Sequence, residues 1–225
     1  LHPADEFLPH GPDGFRRAFE RSYGIAPSEW DRSAPLQARK IGRADAEFPV
    51  YDRGQLERGV AERGWSVAIR TLPAQRLAYA RIADAYRHPD EVVRVYEEVM
   101  AWVRERSRRE HDVGLLGISW DDPDLTPVQR CTFEWALPWD ASVPEWMGAR
   151  ETDATQIAAI EFDGDLQDED LAWQYLYRVW LPNSQYEAAN APAMEIYREP
   201  PDTYGWDRFR MWCALPIAPK EAGWH

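Results

Sequence analysis

The sequence predicts an α+β protein that contains a strand–helix–strand–strand unit twice. Two observations predict this class. Short strand-like apolar runs flank two amphipathic helical segments, and this order recurs after roughly 80–90 residues. The halves also end alike, in Ala136-Leu137-Pro138 and in Ala214-Leu215-Pro216. Two such units side by side would form one sheet with helices on one face, and the opposite, concave face would be free to hold a ligand.

The first half contains the clearest predicted helix. It begins at Pro89, which suits a first helical turn, and it ends in a charged tail over residues 104–110. Its inward stripe consists of Val92, Val93, Tyr96, Val99, Met100 and Val103. Strands are predicted over residues 66–73, 76–81, 115–120 and 129–137. The last of these strands carries Cys131, Phe133 and Trp135 on one face.

The second half repeats this order. Strands are predicted over residues 156–162, 193–198 and 208–217. A helix over residues 168–180 turns an apolar stripe inward, formed by Leu171, Ala172, Tyr175, Leu176 and Val179. The acidic run at residues 163–170 precedes this helix, where negative charge complements the helix dipole. A surface for a basic protein partner is the other interpretation of this run, and we favour it less.

A separate segment precedes the duplicated unit. Phe15, Ala18, Phe19 and Ser22 follow helical spacing within residues 13–23, and Gly24 and Pro27 end that helix. Residues 31–62 contain five residues expected to break any long element: Pro35, Gly42, Pro49, Gly54 and Gly59. The predicted organisation is therefore a helical segment at 1–32, a linker at 33–63 and the α+β domain at 64–220.

Composition and charge narrow the function. The net charge is −13, which argues against the whole chain being a nucleic-acid binder and favours cationic ligands over anionic ones. The 12 tryptophans exceed what core packing needs, which suggests aromatic walls around a cavity or a flat ligand. The five histidines and two cysteines lack metal-ligand spacing, so no metal and no cofactor is expected. Cys131 and Cys213 are interpreted as buried thiols of a cytoplasmic protein, and no membrane span is expected.

The most informative stretch is the strand-like run at residues 192–197. Glu195 and Tyr197 stand two positions apart, so their side chains share a face, while Met194 and Ile196 point the other way. An acid beside an aromatic ring suits an organic cation, because the ring offers its face and the carboxylate offers the counter-charge. A solvent-facing glutamate on an edge strand is the alternative.

Four motifs in order resemble those of a GyrI-like effector-binding domain over residues 66–218. They are the segments at residues 67–73, 117–123, 180–182 and 192–197. The resemblance implies a duplicated α+β fold and a pocket for lipophilic cations that is lined by the glutamate of the Glu-x-Tyr strand, which is Glu195 here. The expected aromatic walls are Trp102, Trp120, Phe133, Trp135, Tyr175, Tyr197 and Trp212.

The front of the chain resembles the last part of an AraC-type DNA-binding domain. The similarity lies in residues 15–30, with the Phe-Arg-Arg-Ala-Phe run and the Gly-x-x-Pro end, although Glu20 stands where the family usually has a basic residue. The resemblance implies a transcription regulator that often pairs into homodimers. Arg16 and Arg17 are the candidate DNA contacts, and specific DNA binding is expected only through a more complete N-terminal region.

The resulting prediction is the effector-sensing portion of a transcription regulator that binds a flat lipophilic, cationic small molecule. Two alternatives stay open. Some GyrI-like proteins are hydrolases that open strained cyclopropane rings of DNA-alkylating natural products, and Glu195 and Tyr197 would then be the catalytic pair. A stand-alone drug-sequestering protein is the other alternative.

Overall fold

A computed structural model gives the fold. It describes residues 51–106, 114–121 and 126–220, together with Arg16, Ala26 and Ser28. The chain divides into two units, Leu1–Ala34 and Pro35–His225. The strands and helices below all lie in the second unit.

Nine strands and three long helices form within the described ranges. The strands are β1 (Val67–Leu72), β2 (Gln75–Ala83), β3 (Leu116–Ser119), β4 (Thr132–Pro138), β5 (Gly148–Thr152), β6 (Thr155–Gly164), β7 (Tyr186–Ala188), β8 (Ala193–Tyr197) and β9 (Phe209–Pro219). The helices are α1 (Arg53–Glu62), α2 (Pro89–Glu105) and α3 (Leu166–Tyr175). A π-helical turn (Leu176–Trp180) and a last α-helical turn (Leu181–Asn183) continue α3.

The strands form one antiparallel sheet in the order β1-β6-β9-β8-β3-β4-β2-β5, with β7 also paired to β9. The segments β2-α2-β3-β4 and β6-α3-β8-β9 are the two copies of the repeated unit. They meet where β3 pairs with β8. The predicted duplication is therefore confirmed, and its junction lies near the centre of the sheet.

The sheet must curl. Residues 73–74 alone join β1, at one edge, to β2, which lies beside the other edge. Residues 153–154 join β5 to β6 in the same way. A two-residue connection spans at most about 10 Å between the Cα atoms that flank it, so both edges must approach each other and the sheet becomes a half-barrel.

Both α2 and α3 pack on one face of this sheet. The inward side of α2 buries Tyr96, Val99 and Val103 in a cluster with Ile82 and Trp135. The inward side of α3 buries Ala172 and Leu176 against Ile160, Phe162 and Met211. Tyr197 and Trp206 pack against both clusters. The boundary between the two helix-covered halves is therefore filled with aromatic rings.

Local sequence explains the starts of these helices. Asp165 is the N-cap of α3, and its carboxylate accepts from the backbone N–H groups of Gln167 and Asp168 at 2.9 and 3.0 Å. Pro89 stands in the first turn of α2, and Asp90 and Glu91 add the negative charge that favours a helix N-terminus.

The predicted linker contains a helix that the sequence analysis missed. Residues 53–62 form α1, although Gly54 and Gly59 were expected to break any long element there. Asp52 and Gln55 form a capping box at its start. Gly59 permits close packing, since a Cβ there would lie 2.7 Å from a methyl of Leu171 on α3. The expectation was wrong because tertiary packing outweighs the low helix propensity of glycine.

The opposite face of the sheet carries a third apolar cluster. Its buried members run across the strands from β2 to β6: Leu77, Leu116, Ile118, Ala136, Ile157, Ala159, Met194 and Ala214. Glu134 is fully buried beside this cluster and pairs with Arg81 at 2.7 Å and Arg150 at 2.6 Å. Two cations therefore compensate the burial of this carboxylate.

Both cysteines lie in the sheet region as buried thiols outside any disulfide, as predicted. Among the residues described, no helix has the length and apolar character needed to cross a membrane.

Candidate functional site

A row of four side-chain positions crosses the junction between the two halves. Register places Trp135 opposite Gly117, Gly117 opposite Glu195, and Glu195 opposite Cys213. Residues directly opposite each other on antiparallel strands share a face. Trp135 belongs to the cluster under α2, and Cys213 belongs to the cluster under α3. Glu195 therefore points to the helix-covered face, between the two helices.

This placement corrects one expectation. The sequence analysis assigned the ligand to the face opposite the helices, but the Glu195 side chain lies on the same face as the helices. Side chains alternate between the two faces along a strand. Met194 and Ile196 belong to the apolar cluster of the other face, so Glu195 and Tyr197 must face α2 and α3.

Tyr197 and Gly117 hold Glu195 in place. The Tyr197 hydroxyl donates to Glu195 Oε2 at 2.6 Å, which confirms that the two side chains point the same way. At position 117 a Cβ would lie 2.5 Å from Glu195 Oε2 and 2.7 Å from Cζ of Phe133. The carboxylate and the Phe133 ring therefore occupy the space that a side chain at position 117 would need.

A second carboxylate reaches the site from α3. Glu169 hydrogen bonds with Glu195, and Trp173 Nε1, one turn further along α3, donates to Glu169 Oε1 at 3.2 Å. Both glutamates are partly buried. Burial, then the charge of Glu195, raises the pKa of Glu169 well above its usual value. Burial also raises the pKa of Glu195, although hydrogen bonds from Tyr197 and Glu169 oppose that rise. The pair therefore holds a proton at a pH where exposed carboxyls are ionised.

The same burial acts on neighbouring acids. Burial and the two carboxylates raise the pKa of Tyr197 and of Cys213 well above their usual values, so both stay protonated at neutral pH. Tyr86, on the turn Ala85–Arg87, lies at the edge of the site and hydrogen bonds weakly with Ser119 at 3.5 Å. Although Tyr86 is 42% exposed as a whole, the withdrawal of its hydroxyl group from solvent, with the nearby Glu195, raises its pKa to about 12.

Aromatic rings surround this acid pair on the α2 side, with Trp135 at their centre. Ring centroids lie 5.0 Å from Trp135 for Phe133, 5.4 Å for Tyr96, 5.5 Å for Tyr197 and 6.2 Å for Trp206. Trp135 Nε1 donates to the Val92 carbonyl of α2 at 2.9 Å, which satisfies the buried indole. The arrangement can bind a flat, lipophilic cation, since it combines ring faces with a carboxylate.

Trp206 completes this group from a loop. Its φ is +68°, a left-handed conformation that a bulky residue rarely adopts, directly after Gly205 at +69°. Its ring meets Tyr96 edge-on at 5.0 Å and 88°. Strain of this kind persists where surrounding contacts hold it, and it is frequent at ligand sites.

Glu195, Tyr197, Phe133 and Trp135 are the predicted site residues that the structure brings together. Four other predictions of aromatic walls do not fit. Trp212 lies opposite Ile196, which is on the face away from Glu195. Ser119 lies opposite Phe133 on the helix-covered face, so Trp120, the next residue, also faces away from Glu195. Trp120 instead lies under Arg81 and Arg150, at 5.7 and 5.0 Å from its ring.

The remaining two are packing residues. Trp102 is 5% exposed, 4.3 Å from Trp139, in the core under α2. Tyr175 faces α1 with Leu171 and Val179, because it lies on the side of α3 that turns away from Glu169. Helical spacing predicts that both residues face inward, but it does not predict which buried residues they contact.

For the candidate DNA contacts, Arg16 is helical and exposed, and Arg17 lies outside the described residues. No cluster of three or more histidine, cysteine, aspartate or glutamate residues suited to a metal ion is found in the part of the chain described.

Sequence reasoning missed Glu169, Gly117, Tyr96 and Trp206 as parts of the site. A signal for Glu169 was present: it stands three and seven residues before Ala172 and Leu176, so it continues their inward stripe. The sequence analysis instead assigned all acids of residues 163–170 to the helix dipole. Asp165 and Asp168 fit that role, but Glu169 is turned toward the sheet.

Comparison with known proteins agrees with this fold. The model of the GyrI-like small molecule binding domain matches residues 66–215, which is more than half of the chain, and the chain belongs to this family. No curated protein sequence matches the chain significantly.

Solved structures with the same fold include the transcription regulator EcmrR. In its complex with DNA, EcmrR matches with a TM-score of 0.55 and 11% identity over 74% of this chain and 63% of that chain. The EcmrR C-terminal domain matches with a TM-score of 0.52 and 11% identity over 69% of this chain and 98% of that domain. SAV2435 bound to tetraphenylphosphonium matches with a TM-score of 0.49 and 12% identity over 68% of this chain and 94% of that chain.

Proposed function

We propose that this protein is the effector-sensing part of a transcription regulator and that it binds a flat, lipophilic organic cation between α2 and α3. The single observation that supports this proposal most is the partly buried carboxylate of Glu195 beside an aromatic group centred on Trp135. A monocation with aromatic substituents would gain a counter-charge and ring faces in one place.

The proposal extends to the parts around the site. Residues 1–32 would be the end of an AraC-type DNA-binding region, and a more complete region of that type would contact DNA. The buried thiols fit a reducing, cytoplasmic setting. Pairing into a homodimer, as is common among AraC-type regulators, would present two sensing domains to one operator.

The experiment is a titration of tryptophan fluorescence with tetraphenylphosphonium, with neutral triphenylphosphine oxide as the matched ligand. We expect saturable quenching by the cation and weak or absent quenching by the neutral compound. Glu195→Gln should weaken binding of the cation by about 1–3 kcal/mol, because it removes charge and keeps shape. Glu187→Gln, on exposed β7, makes the same change in net charge away from the site and should bind like wild type. Equal affinity of Glu195→Gln and wild type would contradict the proposal.

A hydrolase is the second candidate, because a pair of carboxyls with raised pKa values can position and deprotonate a water. Mass analysis of mixtures with strained cyclopropane compounds distinguishes the two. Recovery of intact compound supports the sensor. A gain of one water, lost in Glu195→Gln, would identify an enzyme.

A further inference from the structure

We propose that Glu169 is a second ligand-binding carboxylate and that the site takes up its organic cation in exchange for the proton shared by Glu169 and Glu195. This inference rests on the proposed function and specifies the chemistry of the same site. Two carboxylates on different elements, α3 and β8, would then hold one monovalent cation.

The geometry supports an exchange because an uncharged donor holds each acid: the Tyr197 hydroxyl donates to Glu195 at 2.6 Å and Trp173 Nε1 donates to Glu169 at 3.2 Å. Within the described ranges, neither acid forms an ion pair with a cationic side chain. The groups that act most strongly on them are each other, Asp170, Trp173 and Tyr197, and none of these carries a positive charge. Tyr86, on the Ala85–Arg87 turn, and Cys213, on β9, also face the pair. Burial and the charge of the carboxylates raise the pKa of both groups, so both are uncharged at neutral pH. Glu134, in contrast, is buried in ion pairs with Arg81 and Arg150.

Charge balance favours replacement of the proton over its retention. Two carboxyls that share one proton carry one negative charge. A cation placed between α3 and β8 separates the carboxyls, and the shared proton leaves to solvent. The site then holds two carboxylates and one cation, again with one negative charge. The net charge of the site therefore does not change, so the exchange adds no uncompensated charge to these low-dielectric surroundings. The cation takes the place of the proton.

Calorimetry can count the released protons directly. Wild-type protein is titrated with tetraphenylphosphonium at pH 7 in two buffers with different enthalpies of ionisation, and the difference in heat gives protons released per cation. We expect about one proton. Affinity should also rise up to about tenfold per pH unit between pH 6 and 8, because fewer protons compete for the pair as pH rises.

The variant Glu169→Gln tests proton exchange separately from cation binding, which is the proposed function. The variant keeps Glu195 and its bond from Tyr197, so it should still bind the cation, with proton release near zero and little change in affinity between pH 6 and 8. Glu187→Gln should release protons like wild type. Cation binding without proton release by wild type would overturn the exchange and leave the sensor intact. Absence of binding at every pH would overturn the proposed function itself.

Discussion

At the scale of single residues, the site depends on one missing side chain. Gly117 lies in β3 beneath the Glu195 carboxylate and the Phe133 ring, and any Cβ there would come within 2.7 Å of both. The position needs glycine for space, since the close atoms belong to a hydrogen-bonded carboxylate and a packed ring. Neither can move without disturbing Tyr197 or Trp135.

We expect Gly117→Ala to destabilise the fold by about 1–3 kcal/mol through overpacking, and to weaken tetraphenylphosphonium binding at least tenfold because Glu195 must move. Urea unfolding and the fluorescence titration measure the two effects. Gly54→Ala is the matched control, because its Cβ would meet only the side-chain ends of Arg58 in α1 and of Asp52, the N-cap of α1. If Gly117→Ala bound the cation like wild type, Glu195 would have space to spare and would not be fixed by the sheet.

The acid pair also predicts how stability depends on pH. Burial and Glu195 raise the pKa of Glu169, so the folded state keeps a proton that the unfolded chain loses above about pH 4.3. The free energy of unfolding therefore falls as pH rises, by up to about 1.4 kcal/mol per pH unit while that difference lasts.

Glu169→Gln removes this titrating group and should flatten the profile. We expect the variant to match wild type near pH 4.5 and to be more stable than wild type at pH 8, as measured by urea unfolding at both values. Glu187→Gln should follow the wild-type profile. A wild-type profile that is flat between pH 5 and 8 would show that the pair has no proton to lose there.

At the scale of elements, the sequence predicted most strands and both large helices because their patterns are strictly local. The stripe from Val92 to Val103 and the alternation around Glu195 each depend on one segment and its buried face. The site was predicted less well. Which inward tryptophan lies near Glu195 depends on the register of β3, β4, β8 and β9, and that register is a property of the whole sheet.

Helix α1 illustrates the same limit. Its segment contains two glycines and little periodicity, and its stability comes from Leu56, Gly59 and Val60 packing on Leu171 and Val179 of the α3 region. Those partners lie more than 100 residues away in the sequence, so no local pattern could reveal them. The whole of α1 lies within residues 33–63, the range predicted as a linker.

We expect Leu56→Ala to lower the free energy of unfolding by about 2–5 kcal/mol, because Leu56 is fully buried and its loss leaves a cavity beside α3. Glu62→Ala, at the exposed end of α1, should change it by less than about 0.5 kcal/mol. Chains beginning at residues 51 and 64 extend the test by urea unfolding. Equal stability of these two chains would show that α1 is dispensable to the domain.

At the scale of the whole molecule, net charge favours the proposed binding of a cation and disfavours binding of DNA. The net charge of −13 attracts organic cations to the site and repels phosphate backbones. We therefore expect the 225-residue chain to show no salt-sensitive binding to duplex DNA. Fluorescence anisotropy of a labelled duplex at 50 and 200 mM salt measures this, with and without saturating tetraphenylphosphonium.

Measuring DNA binding with and without tetraphenylphosphonium tests whether the ligand changes the affinity of the chain for DNA. A monovalent cation that binds between α2 and α3 changes the net charge of −13 by one unit at most, so ligand alone cannot turn an acidic surface into a DNA-binding one. If the chain bound duplex DNA tightly, with affinity falling steeply between the two salt concentrations, it would contain a basic surface that makes several phosphate contacts. Arg16 would then be the first residue to replace, because it is helical, exposed and within the segment proposed as the end of a DNA-binding region.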